Sequence, residues 1–376
     1  MKVPFLDLKA QFTRIRTEVM AAIGAVCEEQ GFILGQRVAG LEKALAEFIG
    51  CSYSVGVASG SDALLLSLMA IGVKPGDEVI TAPFTFFATA GSVSRLHATP
   101  VFVDIKPDTF NIDPGQLEEK ISSRTKAIVP VHLFGQCAEM EKITEVANQR
   151  GIKVVEDACQ AIGAARHGVK AGALGHTGCI SFFPTKNLGG VGDGGLITTS
   201  DEGLRDLVLA LRVHGSRSDY HHDHIGINSR LDAIQATVLH VKLRFLNQWN
   251  QQRRENAGRY TQLFEEAGLL DRVTPPWIDP ANLHVFNQYT IRAHKRDQLM
   301  THLRDHDIGH KVYYPVPLHL QECYQPLGYQ KGDFPVAERM AQEALSLPIY
   351  PELTDAHLTC VVDTIRDFYT SHSLVS

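Results

Sequence analysis

The sequence has no long apolar run. None of its hydrophobic stretches approaches the roughly 20 residues that a bilayer-spanning helix needs, so a helical membrane protein is excluded. The opening residues, Met1-Lys2-Val3-Pro4-Phe5-Leu6-Asp7, lack the apolar core of a secretory signal. Positive charge is not in excess: 36 Lys and Arg stand against 42 Asp and Glu, a formal net charge of -6. With no basic stripe either, nucleic acid is not an expected partner. The seven cysteines, an odd number, include no C-x-x-C pair. They read as buried thiols in a reducing cytoplasm, the expected compartment. No internal repeat and no low-complexity segment is present, which argues against solenoids and disordered tails. What remains is ordinary for a soluble globular chain: 376 residues, 44% hydrophobic and 21% charged.

The apolar pattern alternates between helix and strand. Residues 7–30 and 38–48 have helical spacing. Short β-branched runs follow at 53–58, 78–82, 100–104, 127–133 and 152–156, with helical stretches at 63–71, 86–96, 114–121 and 140–150 between them. Such alternation predicts an α/β fold with a mostly parallel sheet covered on both faces. Two further strands are expected at 179–183 and 195–199, the second at a reversal or an edge. Helical patterns at 201–213 and 231–246, the latter running on through Trp249 to about Glu266, lead out of this unit. A smaller C-terminal α+β unit is expected beyond, with strands near 285–292 and 310–314 and helices near 296–305, 334–345 and 355–370. The expected division is residues 1–250 for the large domain and 251–376 for the small one.

Several stretches carry chemical promise. The segment Ser181-Phe182-Phe183-Pro184-Thr185-Lys186-Asn187-Leu188-Gly189-Gly190 places a lone lysine between a strand and a glycine-rich block. Lys186 is either a solvated loop lysine or an amine mounted for a Schiff base. The glycines lack the Lys-Ser/Thr of a P-loop and are expected to let backbone pass close to a cofactor. Ser59-Gly60-Ser61-Asp62 joins a strand to a helix, so it can cap that helix, through Ser61 or Asp62, bind a phosphate, or do both. Asp157 ends a strand expected to be central, where a carboxylate needs a cationic partner or a capping role. Gln160 reaches the same place if a helical turn starts at Asp157. Phe86 offers an aromatic face after another strand. Together these residues supply what pyridoxal 5′-phosphate requires.

The same motifs, with Pro4-Phe5-Leu6-Asp7-Leu8, Pro83 to Thr89, Glu156-Asp157-Ala158-Cys159-Gln160, Gly226-Ile227-Asn228-Ser229-Arg230 and Leu345-Ser346-Leu347-Pro348, run nearly end to end. By them the chain resembles the sugar aminotransferase family called DegT/DnrJ/EryC1/StrS, within the fold-type I pyridoxal phosphate enzymes. Ser61 stands where that family commonly has Thr, and the hydroxyl is kept. The resemblance implies a seven-stranded large-domain sheet and a role for each matching residue. Lys186 joins the cofactor aldehyde and shuttles the proton. Asp157 holds the ring nitrogen protonated, Phe86 stacks on the ring, and Gln160 approaches the ring hydroxyl. Gly60, Ser61 and Ser181 bind the phosphate. Asn228 reaches the cofactor phosphate of a second subunit, so a homodimer with shared sites is expected.

L-glutamate is the implied donor and a nucleotide-linked keto-sugar the acceptor. Residues 220–232 look most like enzymes that aminate C3 of UDP-3-keto-N-acetyl hexoses or hexuronates, making amino sugars for cell-surface polysaccharide or lipopolysaccharide. A C4 or amino-cyclitol aminotransferase, or a non-catalytic cofactor-binding regulator, is the alternative. The related dehydratases that replace the lysine by histidine are opposed by Lys186 itself. The run Tyr220-His221-His222-Asp223-His224 has no Cys or Glu partner at zinc-like spacing, so no metal is expected. Arg217 and Arg230 either meet an anionic substrate or are surface charges. Tyr314, in the rigid stretch Tyr313-Tyr314-Pro315-Val316-Pro317, is expected to help cover the site. His319 either touches substrate there or is a packed or solvated histidine.

Overall fold

A computed structural model describes residues 1–218 and 220–372. Helix α1 (Leu8–Glu29) begins where Asp7 Oδ1 accepts from the backbone N–H groups of Lys9 and Ala10, both at 3.0 Å. The cap and the buried stripe Ile15, Val19 and Val26 start the helix and fix its inner face. Helix α2 (Gly35–Ile49) follows. Then the alternation expected from the sequence sets in: β1 (Tyr53–Val57), α3 (Gly60–Ala70), β2 (Glu78–Thr81), α4 (Phe87–Arg95), β3 (Thr99–Phe102), the short α5 (Leu117–Lys120), β4 (Thr125–Val129), α6 (Met140–Arg150) and β5 (Lys153–Asp157). The two-residue strands β6 (Ala165–Arg166) and β7 (Val169–Lys170) precede β8 (Thr177–Ser181) and β9 (Gly195–Thr199).

The seven-stranded sheet has the order β1-β9-β8-β5-β4-β2-β3. Strand β5 is therefore central. All neighbours pair in parallel except β9, which is antiparallel to both β1 and β8. The reversal expected at 195–199 is present, but β1, not β9, is the edge. One face packs Leu64, Leu66 and Leu68 of α3 against Val55, Val79, Val129 and Val155. Another cluster packs Leu41 and Leu45 of α2 against Ile180, Phe182 and Leu196.

Helix α7 (Glu202–Leu211) leads to a hairpin, β10 (Ser216–Ser218) and β11 (His221–His222), and then to α8 (Ala233–Leu243) and α9 (Leu246–Glu266). The helical passage expected over 231–266 is thus two helices with a break at Arg244 and Phe245. Strand β12 (Val273–Thr274) opens the smaller unit, and β13 (Asn282–Leu283) crosses back to pair with β6. Strands β14 (Tyr289–Ala293) and β15 (Ala344–Leu347), with α10 (Arg296–Asp305), α11 (Pro335–Glu343) and α12 (Asp355–His372), complete it.

Its core gathers Tyr260, Phe264, Tyr289, Ile291, Leu345 and Phe368, and takes in Val3 from the far end of the chain. Helix α11 packs instead with Phe102 and Ile128 of the large sheet, through Ala337, Met340 and Ala341. Cores therefore cross residue 250 in both directions. The strand expected at 310–314 is a single bridge, Lys311 to Ser346. The helix expected over 334–345 gives way to β15, because its last residues pair with β14.

Glu156 shows why β5 can carry acid at its end. The residue is fully buried, and its carboxylate accepts from the N–H groups of Gly172 (2.8 Å), Leu174 (2.7 Å) and Gly175 (2.7 Å) and from His132 Nε2 (2.9 Å). His132 Nδ1 in turn accepts from Ala138 N at 3.1 Å. A ring nitrogen that accepts holds no proton, so the imidazole is neutral with its hydrogen on Nε2. Glu156→Gln turns an amide donor toward this set of donors. It is expected to lower stability by about 2–4 kcal/mol, read as a fall in the urea unfolding midpoint.

Candidate active site

Four strand ends of the large sheet converge on one cavity of about 370 Å³. Ser59 follows β1 and caps α3, its Oγ accepting from Asp62 N at 3.1 Å. The cap is therefore Ser59, not Ser61 or Asp62. It leaves the first-turn N–H groups of Gly60 and Ser61 free of intrahelical bonds, at the positive end of the helix. Gly195 pairs with Val57 of β1 and with Ser181 of β8. It lies so close that an added Cβ would stand 2.3 Å from Ser59 O, and one on Gly60 would stand 2.7 Å from Ser181 Cβ. These two glycines draw Ser181 against the loop. Gly60, Ser61 and Ser181 thus form one anion-binding corner of the cavity.

At the end of β5, Asp157 is buried and lines the same cavity. Its Oδ2 accepts from Thr89 Oγ1 at 2.7 Å and its Oδ1 from Cys159 N at 3.3 Å. No helix begins there; residues 158–160 form a turn. Gln160 nevertheless reaches the cavity. Its Oε1 accepts from Phe134 N at 2.7 Å and its Nε2 donates to Tyr314 Oη at 3.0 Å. The Tyr314 ring stands edge-on to Phe84 at 5.9 Å, and burial pushes its phenol well up. Tyr314 and its neighbour Tyr313 are part of the cavity wall. Phe86 is 57% exposed and lines the cavity, so its ring is available for stacking.

Lys186 follows Pro184 in a turn closed by its own N–H to Phe183 O at 2.8 Å. The next residue, Asn187, is buried, and its Nδ2 donates to Asn250 Oδ1 (2.7 Å) and Val285 O (2.9 Å). A lysine on so firmly pinned a turn is mounted rather than loose. Lys186 is half-buried and lines the cavity. Burial lowers its ammonium below the ordinary value, while Asp157 pulls the other way. A lowered amine is a better base and nucleophile near neutral pH.

The glycine block behaves differently from expectation. Added Cβ atoms on Gly190 and Gly192 would stand 2.6 and 2.8 Å from the Gln235 side chain of α8. Gln235 Oε1 accepts from Val191 N at 2.9 Å, and Lys242 donates to Gly189 O at 2.6 Å. These glycines bring the backbone against α8; Gly195 is the one that faces the phosphate-type loop.

Not every expected residue joins the site. His319 is 1% exposed, bonds Glu338 Oε1 at 3.1 Å and packs against Phe334. Of the two readings the sequence left open, it is the packed core histidine; it does not line the cavity, so the substrate-contact reading is dropped. Arg217, Arg230 and Asn228 do not line this cavity. Arg217 stands on the exposed hairpin, 3.8 Å from Asp223. Asn228 is exposed, but its neighbour Ser229 is buried and accepts from Ala58 N at 3.1 Å, next to the anion corner. Among the described residues no group of His, Cys, Asp and Glu is arranged to hold a metal ion.

The sequence reading missed Thr85, Thr89, Cys159, Phe183, Asp193 and Gln288. All but Thr89 line the cavity. Thr85 and Thr89 had one visible signal: hydroxyls four residues apart at the start of a helix that follows a buried strand. Burial pushes the Cys159 thiol well up, which makes it an unreactive wall residue. The donor set fits pyridoxal phosphate: anion donors at one corner, an aromatic face, a buried carboxylate for a protonated ring nitrogen, and a depressed amine for the aldehyde.

Comparison with known proteins agrees with this chemistry. The model of the DegT/DnrJ/EryC1/StrS aminotransferase family matches residues 13–366. A "pleiotropic regulatory protein" of Geobacillus stearothermophilus is 50% identical over 98% of this chain and 99% of its own. The UDP-N-acetyl-3-dehydro-alpha-D-glucosamine 3-aminotransferase of Acidithiobacillus ferrooxidans is 42% identical over 97% of both chains. Among solved structures, S. venezuelae DesV in complex with a ketimine intermediate superposes with a TM-score of 0.95, at 40% identity over 98% of both chains. With its sheet, its cavity and its lysine turn in place, the chain belongs to the DegT/DnrJ/EryC1/StrS aminotransferase family.

Proposed function

We propose that this protein moves an amino group from L-glutamate to the C3 keto carbon of a UDP-linked N-acetylated hexose or hexuronate, using pyridoxal phosphate in the cavity described. The observation that carries the chemistry is the pairing of a desolvated amine, Lys186, with a buried carboxylate, Asp157, on the walls of one cavity. The name of the 42% identical Acidithiobacillus relative supports the UDP group and the C3 position. The product is an amino sugar of the kind used in cell-surface polysaccharide.

When bound, pyridoxal phosphate supplies an electron sink for the carbon that loses its proton. The chain does the rest. Gly60, Ser61 and Ser181 hold the phosphate and so fix the long axis. Phe86 covers one face of the ring. Asp157 keeps a proton on the ring nitrogen, and Gln160 lies beside the ring hydroxyl. Lys186 takes the proton from the donor's amino-bearing carbon and returns one to the acceptor carbon, work for which its depressed basicity suits it. Donor and acceptor occupy the cavity in turn, which gives ping-pong kinetics.

A second copy of the chain completes this reading. Among the described residues on the cavity wall, one cation, Lys186, faces two carboxylates, Asp157 and Asp193. An anionic amino acid and a nucleoside diphosphate both need more positive charge than that. Two arginines, Arg217 and Arg230, lie outside the cavity, on the hairpin and just after it. At the same hairpin Tyr220 is 96% and Ile225 92% exposed. Large side chains so fully exposed to water suit burial against a partner. In a homodimer the hairpin and Asn228 of one subunit serve the cavity of the other.

One observation favours a second reading, a cofactor-binding regulator: the regulatory name of the 50% identical Geobacillus relative. A visible absorption band that shifts on adding glutamate separates the two, since a regulator leaves it unchanged.

Lys186→Ala is expected to leave a folded protein that still binds pyridoxal phosphate, with transamination lost by at least about a thousandfold. Asp157→Ala is expected to weaken cofactor binding about ten- to a hundredfold and turnover with it. Equilibrium dialysis and a coupled glutamate assay read both, and normal turnover in either variant removes that residue from the site. The shared site is checked by mixing Lys186→Ala with Asn228→Ala subunits. Each alone is expected to be nearly inactive, and the mixture to recover about a quarter of the parent's sites. The substrate is tested in reverse: UDP- and dTDP-linked 3-amino and 4-amino sugars are incubated with 2-oxoglutarate and glutamate is followed. Formation from the UDP-3-amino sugars is expected; formation only from 4-amino sugars would falsify the C3 assignment.

A further inference from the structure

Asp157 does not face the cavity unsupported. Its Oδ2 accepts from Thr89 Oγ1 at 2.7 Å, and Thr89 Oγ1 lies 3.0 Å from Thr85 Oγ1. All three residues are buried. A hydroxyl has one proton to give. With the Thr89 proton committed to the carboxylate, the contact between the threonines has one polarity: Thr85 donates and Thr89 accepts. The three groups form a one-way row of donors that ends on Asp157, and each donation strengthens the next.

Local structure explains how the row forms. Thr89 lies in the first turn of α4, and Thr85 lies in the bend just before the extended N-cap Phe86, which folds its hydroxyl back to within 3.0 Å of the Thr89 hydroxyl. A threonine in a helix often turns its hydroxyl back onto a carbonyl four residues earlier. Here the Thr89 hydroxyl reaches across to β5 instead. The other carboxylate oxygen has a longer backbone contact, from Cys159 N at 3.3 Å. The short bond from Thr89 therefore sets the plane of the carboxyl group. Thr85 itself lines the cavity beside Phe86, so the row ties the ring-stacking loop to the acid opposite.

We propose that Thr89, backed by Thr85, is a positioning residue that holds the Asp157 carboxylate turned into the cavity for a protonated ring nitrogen. This rests on the cofactor reading given above. Thr89→Val keeps the shape and deletes the donor, Thr89→Ser keeps the donor, and Thr85→Val removes the backing hydroxyl.

The test is a binding cycle on the full-length protein, using pyridoxal 5′-phosphate and its 1-deaza analogue, whose ring carries carbon in place of nitrogen. Loss of a charge-assisted hydrogen bond predicts about tenfold weaker binding of pyridoxal phosphate by Thr89→Val, and about threefold by Thr85→Val. Thr89→Ser is expected to stay within about twofold of the parent. With the deaza analogue Thr89→Val is expected to bind as the parent does, because no ring proton meets Asp157. Equal loss for both compounds, or no loss for either, overturns the relay while leaving the cofactor reading intact. A parent protein that binds neither compound overturns the cofactor reading and the relay with it. A general packing defect weakens both compounds alike, so the comparison separates position from structure.

Discussion

Two carboxylates at successive positions of the central strand set the terms for what surrounds them. Side chains on a strand alternate in direction, so Glu156 and Asp157 leave β5 on opposite sides. Burying either charge without donors would cost several kcal/mol, on the order of a whole domain's margin. Each is therefore met by donors of its own. Glu156 gathers three backbone N–H groups from the 172–175 turn and the neutral ring of His132. That ties the turn, the central strand and the loop after β4 into one rigid block. Asp157 receives one short bond, from the Thr89 hydroxyl, and a longer contact from one backbone N–H. The first carboxylate is saturated and structural. The second keeps lone pairs free, and it is the one that faces the cavity.

The lysine is the complementary case. An amine that must lose its proton near neutral pH has to be taken out of water and kept from a close acid. Its depression comes from burial, and Asp157 opposes the change. The fold resolves that opposition by mounting the two groups on different strands. Asp157 ends β5, and Lys186 lies on the turn beyond β8, the neighbouring strand. Asn187 anchors that turn to α9 and to the backbone at Val285, while Gln235 and Lys242 of α8 clamp the glycine block that follows. Two helices at the junction of the large and small units thus hold the lysine turn. A change in packing at that junction reaches the amine directly.

Much of this was legible in the sequence, for physical reasons that differ by element. The parallel strands stand out because strands buried on both faces are short continuous apolar runs, and the caps and glycines mark their ends. The site residues were legible because polar side chains at the carboxyl ends of buried strands have few structural uses. What was not legible depended on partners distant in sequence. Strand β15 reads as the tail of a helix, and only pairing with β14 makes it a strand. His319 reads as a loop histidine beside prolines, and only Glu338 and Phe334 make it a core residue. The glycines at 190 and 192 read as room for a ligand, whereas the neighbour that needs the room is Gln235, more than forty residues on. Thr89 carries only the faint local mark of its spacing from Thr85, because the partner that gives it a role, Asp157, ends a strand far away in sequence.

The sign of the charge within the cavity carries the synthesis one step further. In the proposed reaction two different anionic substrates leave one pocket in turn, and strong fixed cations at its centre would trap one of them. Placing one depressed amine there, with carboxylates at Asp157 and Asp193, keeps the centre weakly charged. The arginines and histidines stand instead on and beside an exposed hairpin that the same chain does not fold over its own site. In the proposed dimer Arg217 and Arg230 stand at the rim of the other subunit's cavity, where their attraction for anions is screened by solvent and exchange is fast. The same separation lets a family keep one centre while changing its substrates. The amine, the acid and the anion corner are fixed by the sheet, and the rim is carried on loops that can vary without disturbing them.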